Sequence, residues 1–210
     1  MTRLQWTRRV IKPLVFLAAL VPAALLVRGA FTGDLGPNPI ETITHETGVW
    51  ALRLLLVTLA ITPLRRLTGW NGAITFRRMV GLFAFFYACL HFSTYIVLDH
   101  YFDFDAIIKD VAKRPYVTAG FTAFVLLIPL ALTSTTKMIR RLGGRRWQKL
   151  HRLIYISAAG GVVHYLWLVK ADIQRPIIYG TILATLLGIR LWFKFRERIV
   201  ATTLAARRAA

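Results

Sequence analysis

Six runs of apolar side chains, each about 17 to 20 residues long, alternate along the chain with short polar connections. They fall near residues 10–28, 48–66, 79–98, 116–134, 151–170 and 176–194. As α-helix, a run of that length crosses roughly 30 Å of hydrocarbon. The pattern predicts an all-α polytopic membrane helix bundle with six transmembrane helices. Most connections are under about 20 residues, too short to form a separate domain, so residues 1–210 read as a single domain.

Local signals refine the frame. Gly36, Pro37, Asn38 and Pro39 read as a turn, and Thr42 to Gly48 as the cap that leads into the second span. Thr62-Pro63-Leu64-Arg65-Arg66 marks its inner end. Gly143-Gly144, between basic residues, predicts a turn joining two helices rather than a nucleotide-binding loop. The basic stretch Arg145 to Arg152, with Trp147, predicts an interfacial helix running into the fifth span. No internal repeat or low-complexity tract interrupts the series.

A hydrophobic content of 56% in 210 residues excludes an ordinary soluble domain. The net charge of +19 would suit nucleic acid, but its distribution argues against that partner. Basic residues crowd the N-terminal tail (Arg3, Arg8, Arg9, Lys12), the second connection (Arg65, Arg66, Arg77, Arg78), the fourth (Lys137 to Arg152) and the C-terminal tail (Lys194 to Arg208). The first, third and fifth connections hold only Lys109, Lys113, Arg114, Lys170 and Arg175, yet eight of the nine acidic residues. By the positive-inside rule both termini are cytoplasmic. The charge is thus a topology signal, with some attraction to anionic lipid head groups. Thr7-Arg8-Arg9-Val10-Ile11-Lys12 resembles a twin-arginine export signal, but the apolar run continues to about Val27 and lacks a good cleavage site, so an uncleaved anchor is expected. Cys89, the single cysteine, reads as an inert packing residue.

Candidate chemistry centres on His91 and His164, each inside a long apolar run. An imidazole in hydrocarbon is costly unless its nitrogens are used, so each marks a site. Measured from the inner ends of their spans, His91 lies about 16 Å and His164 about 20 Å along the helix, which puts both at one depth in the outer half. A haem iron takes axial nitrogens on opposite faces of a flat ring, so a haem b held by this pair is predicted. Gly160, Gly161, Ala84 and Ala88 are expected to leave room for it, although plain packing through small residues explains them as well.

His151, 13 residues before His164, stands at the inner end of the same span. It is a candidate ligand for a second haem, for which the matching position on span three is Arg78; a flavin, a quinone or a lipid phosphate fits it equally. His45 and His100 are expected at the outer surface. Arg53 is the first choice to meet a haem propionate, and Arg28 is expected to snorkel. Tyr95, Tyr155, Tyr165 and Trp167 either line the pocket or form aromatic belts.

Several stretches together resemble the MsrQ family, also called YedZ: Thr-Gly-x-Trp-Ala-Leu at 47–52, Thr-Pro-Leu-Arg-Arg at 62–66, Arg-Arg-x-x-Gly-Leu at 77–82, Leu-His at 90–91, Arg-Pro-Tyr at 114–116, Arg-Trp-Gln-Lys-Leu-His-Arg-Leu-x-Tyr at 146–155 and His-Tyr-Leu-Trp at 164–167. The resemblance covers almost the whole chain and extends to the wider ferric-reductase-like transmembrane group. It implies a haem-binding subunit of the bacterial inner membrane that passes electrons from the quinone pool, with FMN also associated. The receiver it implies is MsrP, a periplasmic molybdenum-cofactor enzyme that reduces methionine sulfoxide in oxidised envelope proteins. It also implies that His91, His151 and His164 are the haem-linked histidines. The chain lacks the second span-three histidine of the wider group and any fused flavin or nucleotide domain. Two rival readings of the residues are a proton-coupled transporter that relays protons through the same histidines, and a membrane anchor without a cofactor.

Overall fold

A computed structural model describes residues 3–169 and 171–209. Lys170 lies outside them, as do the side chains of Arg3, Arg8, Arg207 and Arg208. All regular structure among the described residues is helical: α1 (Arg3–Trp6), a π-helical turn Thr7–Ile11, α2 (Lys12–Thr32), α3 (Pro39–Thr68), α4 (Ile74–Thr94) running into a π-helical turn Tyr95–Asp99, α5 (Phe104–Lys113), α6 (Pro115–Leu132), α7 (Thr136–Leu142), α8 (Gly144–Leu150), α9 (Leu153–Leu168) and α10 (Gln174–Ala209).

Five of these are long and apolar enough to cross a membrane: Arg9–Thr32, Pro39–Thr68, Asn71–Asp99, Pro115–Leu132 and Gln174–Ile199. The predicted fifth span, 151–170, is represented by the 16 residues of α9. The chain turns at His151 and Arg152, and the backbone leaves the helix at Val169 in an extended conformation. At about 1.5 Å per residue α9 is about 24 Å long, shorter than the others, yet it packs between α3, α6 and α10.

Boundaries moved for identifiable reasons. The region Thr42 to Gly48, expected as a cap, lies inside α3, which starts at Pro39. Asn38 supplies the cap, its side chain accepting the Glu41 amide hydrogen at 3.3 Å, and proline at the first helical position loses no intrahelical bond. At the other end α10 continues through the basic tail for 36 residues in all. Gly143, at φ +74°, ends α7 and leads into α8, as the glycine pair suggested.

Two helix pairs pack most closely, α3 with α4 and α6 with α9. In the second pair Ser157, fully buried, donates to the Ala123 carbonyl at 2.7 Å, and a side-chain carbon on Gly160 would meet Ala123 Cβ at 3.2 Å and the Ala119 carbonyl oxygen at 3.4 Å. Gly160 therefore serves helix contact, not room for a planar ring. Gly161 faces Leu52, and Ala84 is fully buried in the apolar core with Leu52, Leu55, Leu56 and Leu59 of α3.

α2 stands apart, with Leu14, Leu17, Val21, Leu25, Val27 and Phe31 exposed, a surface that suits lipid. Phe16 packs on Phe83 of α4 with ring centroids 5.0 Å apart, and a polar insertion adds to that contact. The Tyr87 hydroxyl accepts from the Ala23 amide at 3.0 Å and donates to the Ala19 carbonyl at 2.8 Å. It thereby sits where a backbone bond would close the turn around Pro22, which itself has no N–H to give. Tyr87→Phe is expected to destabilise the folded protein by about 1 to 3 kcal/mol, read as an earlier unfolding midpoint in detergent. Trypsin cleavage after Arg28, near the C-terminal end of α2, should also become faster.

Candidate haem site

His91 on α4 and His164 on α9 face each other with ring centroids 6.0 Å apart and planes at 69°. Each ring uses Nδ1 in the same way, against a backbone carbonyl of the helix packed beside it. His91 Nδ1 lies 2.9 Å from the Thr44 oxygen of α3, and His164 Nδ1 lies 2.7 Å from the Tyr116 oxygen of α6. A carbonyl only accepts, so Nδ1 carries the proton in both rings, and the lone pair resides on Nε2. Neither Nε2 has a hydrogen-bond partner among the described residues. The pair is thus presented in the tautomer that ligates a metal, with the second nitrogen fixed by a backbone acceptor.

The donor set fits a haem iron. Two imidazoles bound to one metal through bonds of about 2 Å place their ring centroids about 6 Å apart, and both planes can contain the common axis at any rotation about it. The two rings expected to lie level are neighbours in the fold.

The other predicted residues make contacts of their own. His151 is about 20 Å from His164 along the chain's axis of travel; its Nε2 is 3.1 Å from Thr133 Oγ1 and its ring stacks on Trp147 at 3.9 Å. Trp147 in turn donates to the Thr133 carbonyl at 2.9 Å, so the pair closes the C-terminal end of α6. Arg53 donates from Nε to the Tyr179 hydroxyl at 2.9 Å and lies over the Trp50 ring at 4.9 Å, which positions its guanidinium between α3 and α10. His45 and Arg28 are exposed, as expected.

His100 departs from its expectation of free exposure. It is half-buried against the Tyr95 ring, with Nε2 3.7 Å from Asp110. Asp110 also accepts from the Tyr95 hydroxyl at 2.9 Å and pairs with Arg114 Nε at 2.8 Å, and Arg114 reaches the Tyr116 hydroxyl at 3.1 Å. One carboxylate on α5 thereby ties down the segment whose backbone holds His164. Among the aromatic candidates, Tyr95 and Tyr155 are taken up by such polar pairs, Tyr165 leans on Tyr179, and Trp167 is exposed.

Residue-level reading missed the two carbonyls, which carry no side-chain signature, and it missed Arg190. That arginine lies within the sixth apolar run, donates to the Tyr155 hydroxyl at 3.0 Å and to the Leu59 carbonyl, and so links α10, α9 and α3. A lone cation inside an apolar run was the available signal.

A bundle that brings two such histidines together defines a class, and comparison with known proteins agrees. The family described as ferric reductase like transmembrane component matches residues 47–162. The chain is 56% identical over 197 residues to a protein-methionine-sulfoxide reductase heme-binding subunit MsrQ from Herminiimonas arsenicoxydans, covering 93% of this chain and 90% of that one. Proteins of the same name from Ralstonia nicotianae and Rhodospirillum rubrum are 51% and 52% identical, covering 90% and 88% of this chain and 88% of each relative. The chain belongs to the MsrQ family.

Asp110→Ala removes the acceptor shared by Tyr95, Arg114 and His100. The expected cost is about 1 to 3 kcal/mol, with faster amide hydrogen exchange in α5 and in the first turn of α6, while α10 exchanges as before.

Proposed function

We propose that this chain is the haem-binding membrane subunit of a methionine sulfoxide reductase system, a single-domain electron conduit with haem b held between His91 and His164. The observation that carries the reading is the matched pair of Nδ1 contacts to backbone carbonyls, which leaves an uncommitted Nε2 lone pair on each of two rings whose centroids are 6.0 Å apart. Bound there, haem b supplies one-electron redox chemistry at a potential tuned by its ligands and surroundings. The chain contributes the rest. Thr44 and Tyr116 hold the imidazole tautomers, the apolar core around Leu52 and Leu55 keeps water away, and Arg53 offers a cation for a haem propionate.

The direction of transfer follows the family. Electrons come from the quinone pool, with FMN as a further cofactor, and leave to MsrP, the periplasmic molybdenum-cofactor methionine sulfoxide reductase. The setting is the bacterial inner membrane, with α9 as a sixth, short span and both termini cytoplasmic. Two features support that topology. The basic connections gather at one end of the bundle, where Arg66 pairs with Glu197 at 2.9 Å, and the acidic network of Asp110 lies at the end nearer the two histidines. His151 is kept as the residue for an inner redox group, haem or flavin. Because its Nε2 is engaged by Thr133, ligation of a metal there requires that hydroxyl to yield. The family match offers no support for the proton-coupled transporter.

Purified protein should show a Soret band with the sharp reduced bands of six-coordinate haem b. His91→Ala and His164→Ala should each abolish or strongly deplete it at unchanged helical content, and His151→Ala should leave the outer-site signal in place. A wild-type preparation without a Soret band, or an undiminished band in both single variants, would sink the reading.

A further inference from the structure

The two histidine contacts share more than a carbonyl. Thr44 accepts from His91, and four residues later on the same helix stands Gly48; Tyr116 accepts from His164, and four residues later stands Gly120. Residues four apart lie one above the other on a helix face. Each imidazole therefore crosses the face of a glycine to reach the carbonyl of the turn before. A Cβ on Gly48 would lie 3.1 Å from His91 Cε1 and Nδ1, and one on Gly120 would lie 2.7 Å from His164 Nδ1 and 3.0 Å from Cγ and Cε1. A side chain at position 120 forces the His164 ring to shift, and one at position 48 requires the His91 ring to give by a few tenths of an ångström.

Neither glycine has a positive φ, and both lie within α-helices. Their backbone conformation is thus open to alanine, which favours helix over glycine by about 1 kcal/mol. What excludes a side chain is the imidazole alone. By contrast Gly160 meets the backbone and a side chain of α6, and Gly188 on α10 meets nothing within 4 Å.

We propose that Gly48 and Gly120 are paired positioning residues for the two axial histidines, each holding an imidazole flat against a neighbouring helix so that its Nδ1–H stays on the carbonyl one turn earlier and its Nε2 stays aimed at the iron. The proposal rests on the haem reading above and assigns these glycines a role in ligand orientation rather than in helix packing. The clearance at Gly120 is the smaller, so His164 is the more sensitive ligand.

The test compares full-length, haem-loaded wild type with Gly48→Ala, Gly120→Ala and Gly188→Ala. Low-spin ferric electron paramagnetic resonance is the main readout, since its g values report how the axial imidazoles are rotated; haem affinity and helical content are measured beside it. Gly120→Ala is expected to lose roughly 10-fold or more in haem affinity and to shift the g values of the haem it retains. Gly48→Ala should move both in the same sense by less, and Gly188→Ala should match wild type. Loss of occupancy with an unchanged spectrum in the loaded fraction means a packing role only and overturns the proposal. Should Gly120→Ala not fold, nitrogen-15 spectra of histidine in the reduced, diamagnetic wild type decide instead. Two slowly exchanging Nδ1 protons are expected, and an unprotonated or freely exchanging Nδ1 on either ligand overturns it. Wild type that binds no haem, or binds it independently of both histidines, defeats the functional reading itself and the proposal with it, whereas normal bis-histidine haem unaffected by either glycine variant defeats the proposal alone.

Discussion

A neutral imidazole has one nitrogen that gives a proton and one that offers a lone pair, and in hydrocarbon neither can be left to water. In this protein the donor of each buried ring is committed to a main-chain oxygen of the adjacent helix. That choice sets the tautomer, leaves a lone pair on each Nε2 and requires α4 to lie on α3 and α9 to lie on α6 at close range. The two tightest helix pairs in the molecule are those that make the contacts possible.

The rest of the bundle can be understood as holding those pairs together. Small residues along α6 and α9 let their backbones approach, with Ser157 on the Ala123 carbonyl as the internal fastener. Arg190 reaches from α10 to α9 and α3, and Arg53 reaches from α3 to α10. Both are cations spent on neutral acceptors and rings in a low-dielectric setting, where a hydroxyl or carbonyl oxygen offsets part of the cost of burying charge. Beside the histidine pair Asp110 gathers Tyr95, His100 and Arg114, and through Arg114 steadies the residue that accepts from His164. At the C-terminal end of α6 His151 and Trp147 perform a plainer task on Thr133. The histidine pair is therefore braced from both directions, while α2 is attached through Tyr87, the Phe16–Phe83 ring contact and Val15 and turns much of its surface outward.

Much of this was legible in the order of residues. The helical class, the apolar windows, the segregation of charge, the turn at Gly143 and the equal depth of His91 and His164 all follow from composition and from a fixed rise per residue, which are local quantities. The start of α3 was misplaced because Thr42 and Thr44 look like caps, and only their neighbours show that Asn38 and Pro39 win. The short α9 was drawn too long for a related reason, since hydropathy does not register where a chain turns. His100 was expected to stand free because nothing local announces that Asp110, ten residues on, folds back against it.

What the chain determines unaided is that it folds into apolar helices and which of them carry the histidines, because periodicity and length suffice for that. Which nitrogen of each ring faces the partner, which glycine serves an imidazole and which serves a helix, and which carbonyl receives a proton were decided by tertiary packing alone. Backbone acceptors are identical at every position, so only the crossing of one helix over another can single out Thr44 and Tyr116.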